Sequence, residues 1–158
     1  MLRMACLSAI YAVIFIFFVA PCNLNTSKFV YYTENVAKML ITKQITDLSC
    51  LKELAAIFDQ YRQFYKQTPD LAAAHFFLEQ RIANLQSVIF VVIYNHTIVG
   101  FTQLYPLFSS VSMQHSWLLN DLYVLPEQRG IGAATVLLQR AQLFAQQTNS
   151  KGLALETA

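Results

Sequence analysis

Charged residues are scarce in this chain. Only 13% of its 158 residues are Asp, Glu, Lys or Arg, about half the share of a typical soluble domain. The formal net charge is +2, and the basic residues are scattered singly, without the clusters that bind phosphate backbones. We therefore expect no nucleic-acid partner.

Cysteine is also rare, and Cys6, Cys22 and Cys50 include neither a CxxC pair nor a closely spaced histidine partner. Zinc sites use closely spaced ligands, and disulfide frameworks use even numbers of cysteines. Neither a metal site nor a disulfide framework is therefore predicted. The expected location is a reducing compartment, the cytoplasm.

One long hydrophobic run, residues 4–20, contains no charged residue and contributes much of the 56% hydrophobic share. Its length, roughly 17 residues, meets the lower limit for a helix that spans a membrane. Three interpretations stay open: a membrane anchor, a signal peptide with a poor cleavage site, and an extension before a translation start at Met39. We therefore predict a hydrophobic N-terminal extension over 1–38 and a folded domain over 39–158.

Hydrophobic spacing predicts the elements that follow Met39. Apolar residues recur at spacings of three and four in three segments, and five others are short and β-prone. Asp47 and Asp70 are each placed to cap a following helix. The predicted elements are strand 40–45, helix 48–66, helix 71–82, strand 87–94, strand 98–105, strand 116–124, helix 130–147 and strand 153–157. This β-α-α-β-β-β-α-β order indicates an α/β fold with a mixed sheet.

Residues 122–134 (LYVLPEQRGIGAA) combine a strand, a turn at Pro126 and a helix start that carries Gly130 and Gly132. The first amides of a helix have no intrahelical acceptor, and the helix dipole adds roughly +0.5 charge there, so the main chain favours a phosphate. Arg129 is placed to add a charge-assisted contact. On spacing alone, an ordinary surface loop whose glycines serve the turn is an equal alternative.

A resemblance to the GNAT superfamily of N-acetyltransferases rests on this loop. The acetyl-CoA signature of that family, Q/R-x-x-G-x-G/A, is similar to residues 129–134 (RGIGAA), and residues 120–126 are similar to its fourth strand. The resemblance covers residues 39–158, where the order of elements agrees with the family's fold. It implies that acetyl-CoA is held by Leu122, Tyr123, Val124, Arg129, Gly130, Ile131, Gly132, Ala133 and Ala134.

The resemblance implies transfer of an acetyl group from acetyl-CoA to a primary amine of a small molecule or amino-acid derivative, without a metal. Asp121 is the implied carboxylate that accepts the amine's proton or orients a cationic substrate, and Glu156 on the last strand is a second candidate. Each has an alternative as an ordinary strand carboxylate. Tyr123 alternates to the same face as Asp121, where it lines an acceptor pocket or the core.

Aromatic residues recur along the first predicted helix, at Phe58, Tyr61, Phe64 and Tyr65. Such a stripe usually belongs to the hydrophobic core. The alternative is a lid that covers the acceptor amine through stacking or cation–π contacts.

Domains of the GNAT family normally continue past the fifth strand, whereas this sequence ends at Ala158. The resemblance therefore implies a domain that lacks its C-terminal helix and strands. The last strand is then an exposed edge, which predicts self-association as a homodimer. The alternative to an active enzyme is a non-catalytic acyl-CoA-binding domain, attached to a membrane if residues 4–20 are an anchor.

Overall fold

The β-prone segments pair into one mixed sheet of seven strands. The protein is seen as a computed structural model, which describes the backbone of residues 12–16, 28–32 and 39–157. Its elements are β1 (Ala12–Ile16), β2 (Lys28–Tyr32), β3 (Met39–Ile45), α1 (Leu51–Phe64), α2 (Leu71–Ala83), β4 (Val88–Tyr94), β5 (Thr97–Ser109), β6 (Gln114–Val124), a 3-10 turn (Pro126–Gln128), α3 (Ala133–Gln147) and β7 (Leu153–Thr157).

The strand order across the sheet is β1-β7-β6-β5-β4-β3-β2. Neighbouring strands are antiparallel, except that β6 and β7 run parallel. A parallel pair needs a crossover, and α3 supplies it. From Met39 onward the elements follow the predicted β-α-α-β-β-β-α-β order, and the predicted mixed α/β fold is confirmed.

The helices cover both faces of the sheet, and the alternation of side chains along β4 shows how. Ile89 and Val91 are buried in the core that includes α1 and α2, whereas Phe90 and Val92 are buried in the core that includes α3. Each fully buried side chain of this size stabilises the fold by about 1.5–3 kcal/mol. A strand buried on both faces reads as a continuous hydrophobic run, which is the pattern of β4.

Gly100 lets β6 approach β5 closely. A Cβ atom at this position would lie 2.6 Å from the carbonyl oxygen of Tyr123, which no side chain tolerates without a shift. The pairing of β4 with β5 also changes register beside it, between Val92 and Ile93. The preceding turn has positive φ at both Asn95 and His96, as a tight hairpin requires.

The two predicted helix caps have different outcomes. Asp70 is an N-cap, because its carboxylate accepts a hydrogen bond from the Ala73 amide at 2.9 Å. The capping role predicted for Asp47 is wrong: this carboxylate accepts from the Ser49 amide at 2.8 Å, within the preceding turn. The helix therefore begins at Leu51 rather than at residue 48.

The last strand is not an edge of the sheet, so that prediction is wrong. β1 pairs antiparallel with the whole of β7, from Ala12 opposite Thr157 to Ile16 opposite Leu153. The unpaired backbone from which a homodimer was inferred is therefore covered, and dimerisation stays a prediction.

The hydrophobic run over residues 4–20 contains β1, so residues 12–16 form a strand and not part of a helix. The anchor, the signal peptide and the extension before Met39 stay open as interpretations of this segment. The rest of that run lies outside the described residues. Among the helices that the structure describes, none is long and apolar enough to cross a membrane.

The different roles of Asp70 and Asp47 predict different effects on stability. Asp70→Ala should lower the free energy of unfolding by about 1 kcal/mol, because the Ala73 amide loses its acceptor at the start of α2. Asp47→Ala removes an exposed turn contact and should have a smaller effect. Urea denaturation of both variants measures the difference, and equal losses would contradict the assignment of the cap.

Candidate functional site

Strands β6 and β7 separate partway along their length. Their pairing covers only Trp117 to Leu119 of β6, opposite Leu153 to Leu155, although β6 continues to Val124. The separation begins at a β-bulge. Leu119 pairs with Leu104 of β5 and Asp121 pairs with Gln103, so Asn120 is an extra residue between them. Bulges bend and twist a strand. The second half of β6 therefore has β5 on one side and an opening on the other.

The peptide groups of Leu122 and Val124 face this opening. The amide of Leu125 donates to the Val99 carbonyl on β5 at 2.9 Å, and the Tyr123 carbonyl also points towards β5, at Gly100. Backbone groups alternate between the two sides of an antiparallel strand. Leu122 and Val124 alternate with Tyr123 and Leu125, so they present their N–H and C=O groups on the side away from β5.

The glycine-bearing loop leads from the end of β6 to the start of α3. Gly130 and Gly132 have φ of 82° and 90°, in the region that favours glycine, so the helix begins at Ala133 rather than at Gly130. The amide of Val136 donates to the Gly132 carbonyl, and the amides before it lie in the first turn, where no intrahelical acceptor exists. This end of the helix fits an anionic group.

Arg129 connects the glycine-bearing loop to the end of β6. Its Nε donates to the Val124 carbonyl at 3.2 Å, and its guanidinium carbon lies 5.8 Å from the Phe64 ring and 5.9 Å from the Tyr123 ring. These contacts hold the start of the loop against α1. The contact of Arg129 with a phosphate stays a prediction.

A buried carboxylate lies on the α1 side of β6. Asp121 is 6% exposed, and its Oδ1 accepts hydrogen bonds from the Tyr61 hydroxyl at 2.8 Å and from the Asn120 Nδ2 at 3.1 Å. Burial raises the pKa of Asp121, although both hydrogen bonds act to lower it. The pKa of Asp121 is therefore closer than that of an exposed aspartate to the value that suits a proton acceptor at neutral pH.

Two tyrosines are affected by the same carboxylate. Burial raises the pKa of Tyr61 well above its usual range, and the charge of Asp121 and its hydrogen bond raise it further. Burial, followed by the charge of Asp121, raises the pKa of Tyr105 to about 12. Both hydroxyls therefore stay protonated at neutral pH, and Tyr61 serves as a hydrogen-bond donor.

Tyr61 divides the aromatic stripe of α1 into two parts. Phe58 is buried in the core, whereas Phe64 and Tyr65 are 61% and 50% exposed. The Tyr61 ring lies 5.9 Å from the Tyr123 ring, so Tyr123 and Asp121 share a face as predicted. The stripe is thus core at one end and an exposed aromatic wall at the other.

The sequence did not identify Tyr61 as the partner of Asp121. Sixty positions separate the two residues, and no spacing rule connects a helix to a strand over that distance. Glu156, the second predicted carboxylate, is opposite Val13 in the pairing of β7 with β1, and its side chain lies outside the described residues. Within the described part of the chain, no three His, Cys, Asp or Glu side chains form a group that could hold a metal ion.

Comparisons with known proteins agree with this geometry. The model of the acetyltransferase (GNAT) family matches residues 51–158. An uncharacterized N-acetyltransferase of Bacillus subtilis, YhfO, is 48% identical over 104 residues, 66% of this chain and 70% of that protein. The crystal structure of a probable acetyltransferase superposes with a TM-score of 0.70 at 38% identity, covering 74% of this chain and 79% of that one.

A more distant structure shares the fold. It is a predicted acetyltransferase from Clostridium acetobutylicum, solved with acetyl-CoA, and it superposes with a TM-score of 0.63 at 18% identity. The superposition covers 76% of this chain and 81% of that one.

The raised pKa of Asp121 predicts a gain in stability when its charge is removed. The folded chain keeps the Asp121 proton to higher pH than the unfolded chain, so this group costs stability as pH rises above the ordinary pKa of 3.8. Asp121→Asn should therefore raise the unfolding temperature at pH 8, and the gain should shrink as pH falls towards about 4.

Thermal unfolding of Asp121→Asn over this pH range tests the prediction. Asp47→Asn is the matched control, because hydrogen bonds with Ser49 lower the pKa of Asp47 and its neutralisation should give no gain. A lower unfolding temperature for Asp121→Asn at pH 8 would contradict a raised pKa.

Proposed function

The chain belongs to the GNAT family of acetyltransferases, and we propose that it transfers the acetyl group of acetyl-CoA to a primary amine of a small molecule or amino-acid derivative. Membership of this family makes the chain an acyltransferase. The observation that carries the proposal is the opening between β6 and β7, with the start of α3 at its end and Asp121 on the adjoining strand segment.

Acetyl-CoA combines an extended, amide-containing pantetheine arm with a pyrophosphate. The arm would pair with the peptide groups of Leu122 and with the amide of Val124, whose carbonyl accepts from Arg129, in the way that a further strand pairs with a sheet edge. The pyrophosphate would lie against the amides of residues 130–134, where the helix dipole favours negative charge. Arg129 would add positive charge beside it.

Asp121 is the proposed proton acceptor for the reaction. The neutral amine nitrogen attacks the thioester carbonyl carbon, the bond from that carbon to sulfur breaks, and coenzyme A leaves as a thiolate. The amine gives up one proton to Asp121, directly or through a water, and a proton ends on the sulfur, so that the products are an amide and a thiol. Glu156 is the second candidate for this role.

Tyr61 is a positioning residue in this mechanism. Its hydroxyl donates to Oδ1 of Asp121. Asp121 is buried and Tyr61 is partly buried, so the carboxylate is held in one orientation. The second oxygen of the carboxylate is then left to accept from the amine. The exposed rings of Phe64 and Tyr65 flank this position and suit an amine with an apolar substituent.

Calorimetric titration of the full chain with acetyl-CoA tests the cofactor site, and release of free thiol with a panel of amines tests the transfer. Saturable binding with amine-dependent thiol release supports the proposal. Binding without turnover would instead indicate a non-catalytic acyl-CoA-binding domain, and a folded chain that does not bind would contradict the proposed site.

A single added charge should separate cofactor binding from folding. Ala134 is exposed in the first turn of α3, where a glutamate is favourable for the helix dipole but repels a pyrophosphate. We expect Ala134→Glu to keep or raise the unfolding temperature and to weaken acetyl-CoA binding by about tenfold or more, the equivalent of about 1.4 kcal/mol.

Gln146→Glu is the matched control, because it adds the same charge at an exposed position near the other end of α3. Its affinity for acetyl-CoA should be close to that of the unmodified chain. Equal affinities for the Ala134 and Gln146 variants would rule out pyrophosphate binding at this helix start.

A further inference from the structure

Gln103 is a polar residue enclosed in the middle of the sheet. It is 0% exposed and lies on β5 directly opposite Asp121 in the pairing with β6. Residues opposite each other in an antiparallel pair extend their side chains to the same face, with Cβ atoms about 5 Å apart. The Gln103 side chain is therefore a neighbour of the proposed proton acceptor.

Only one end of the Gln103 amide has a hydrogen-bond partner in the part of the chain that the structure describes. Its Nε2 donates to the Ser87 hydroxyl at 2.6 Å, whereas its Oε1 is buried and has no hydrogen-bond partner among the described residues. A buried acceptor without a donor costs about 1–3 kcal/mol, and most buried polar groups in proteins are paired. This oxygen therefore needs a donor other than the described residues.

No neighbouring group among the described residues, the Tyr105 hydroxyl included, donates a hydrogen bond to this oxygen. An ionised Asp121 is an acceptor only, and the Tyr61 hydroxyl already donates to Asp121. Two acceptors from adjacent strands, the Gln103 Oε1 and the second oxygen of Asp121, thus lie on one face of the sheet. A nitrogen with two N–H bonds, placed between these two oxygens, would donate to both.

We infer that Gln103 Oε1 accepts one N–H of the substrate's primary amine while Asp121 accepts the other, so that Gln103 positions the nitrogen and selects primary over secondary amines. This inference rests on the proposed function. Gln103 does not take up the proton, because an amide oxygen is far too weak a base. Its role is to hold the nitrogen that attacks the thioester.

The test compares acetylation of primary amines with that of their N-methyl counterparts. The probes are benzylamine, phenethylamine, tyramine and putrescine, each assayed with acetyl-CoA beside its N-methyl form, for the full chain and for Gln103→Met. The unmodified chain should prefer the primary amine by roughly tenfold or more in kcat/KM, since the methylated amine leaves one buried acceptor unpaired.

Gln103→Met has a similar volume but no acceptor, so we expect two changes. The preference for primary amines should fall to within about threefold, and the KM for the amine should rise roughly tenfold, while the KM for acetyl-CoA stays the same. Gln103→Glu, which keeps an acceptor oxygen at this position, should retain the preference. Gln60→Met, on the exposed side of α1, is the control for the substitution itself.

The outcomes separate this inference from the proposed function. Primary-amine preference that persists in Gln103→Met would overturn the inference alone and assign Gln103 a structural role, for example with a buried water as its donor. If Gln103→Met does not fold, loss of the preference in Gln103→Glu would overturn it. Acetyl-CoA binding without acetylation of any probe by the unmodified chain would overturn the amine-transfer step and this inference with it.

Discussion

The end of the pairing between β6 and β7 at Leu119 is the constraint on which the proposed site depends. A parallel pair that continued beyond Leu119 would place the rest of β7 beside β6, where an extended ligand would otherwise lie. The bulge at Asn120 prevents this, because the extra residue turns the rest of β6 away from its neighbour. Gly100 fixes where the strand goes instead, by allowing close contact with β5.

The buried carboxylate of Asp121, next to the bulge, lowers the stability of the folded chain. Asp121 is buried on β6, and two hydrogen bonds do not fully offset the loss of hydration, so its pKa is raised. The rings of Tyr61, Tyr123 and Phe101 and the Gln103 amide lie on the same face, and these groups stabilise a charge less than water does. Buried groups with a perturbed pKa are typical of functional sites.

Much of the fold follows from local sequence pattern, and the failures have local physical reasons. The order of elements from Met39 was predicted because each segment carries its own periodicity and its own turn residues. The start of α1 was misplaced because the Asp47 carboxylate binds the Ser49 amide within a turn, an alternative to capping that is common for aspartate. The start of α3 was misplaced because Gly130 and Gly132 adopt positive φ.

Contacts between distant segments were beyond the reach of these rules. The pairing of Tyr61 with Asp121 joins a helix to a strand, and the pairing of β1 with β7 joins the two ends of the chain. Nothing in the spacing of either segment specifies its partner. Gln103 is visible in the sequence as a polar amide within the mostly apolar β5. Its relation to Asp121 becomes clear only from the pairing of β5 with β6.

Successive residues of β6 alternate in direction. In the proposed function, backbone groups on one side of the strand bind the cofactor and side chains on one face bind the amine. At Leu122 and Val124 the peptide groups face the opening, so the acetyl donor would be held by atoms that every residue possesses. At Asp121 and Tyr123 the side chains face α1, so the amine would be held by atoms that substitution changes. One short strand segment can thus keep its cofactor site while its acceptor site diverges. On the proposed function, the acceptor amine would be recognised by Tyr61, Gln103 and the exposed rings of α1, and the glycine-bearing loop would not take part in that choice.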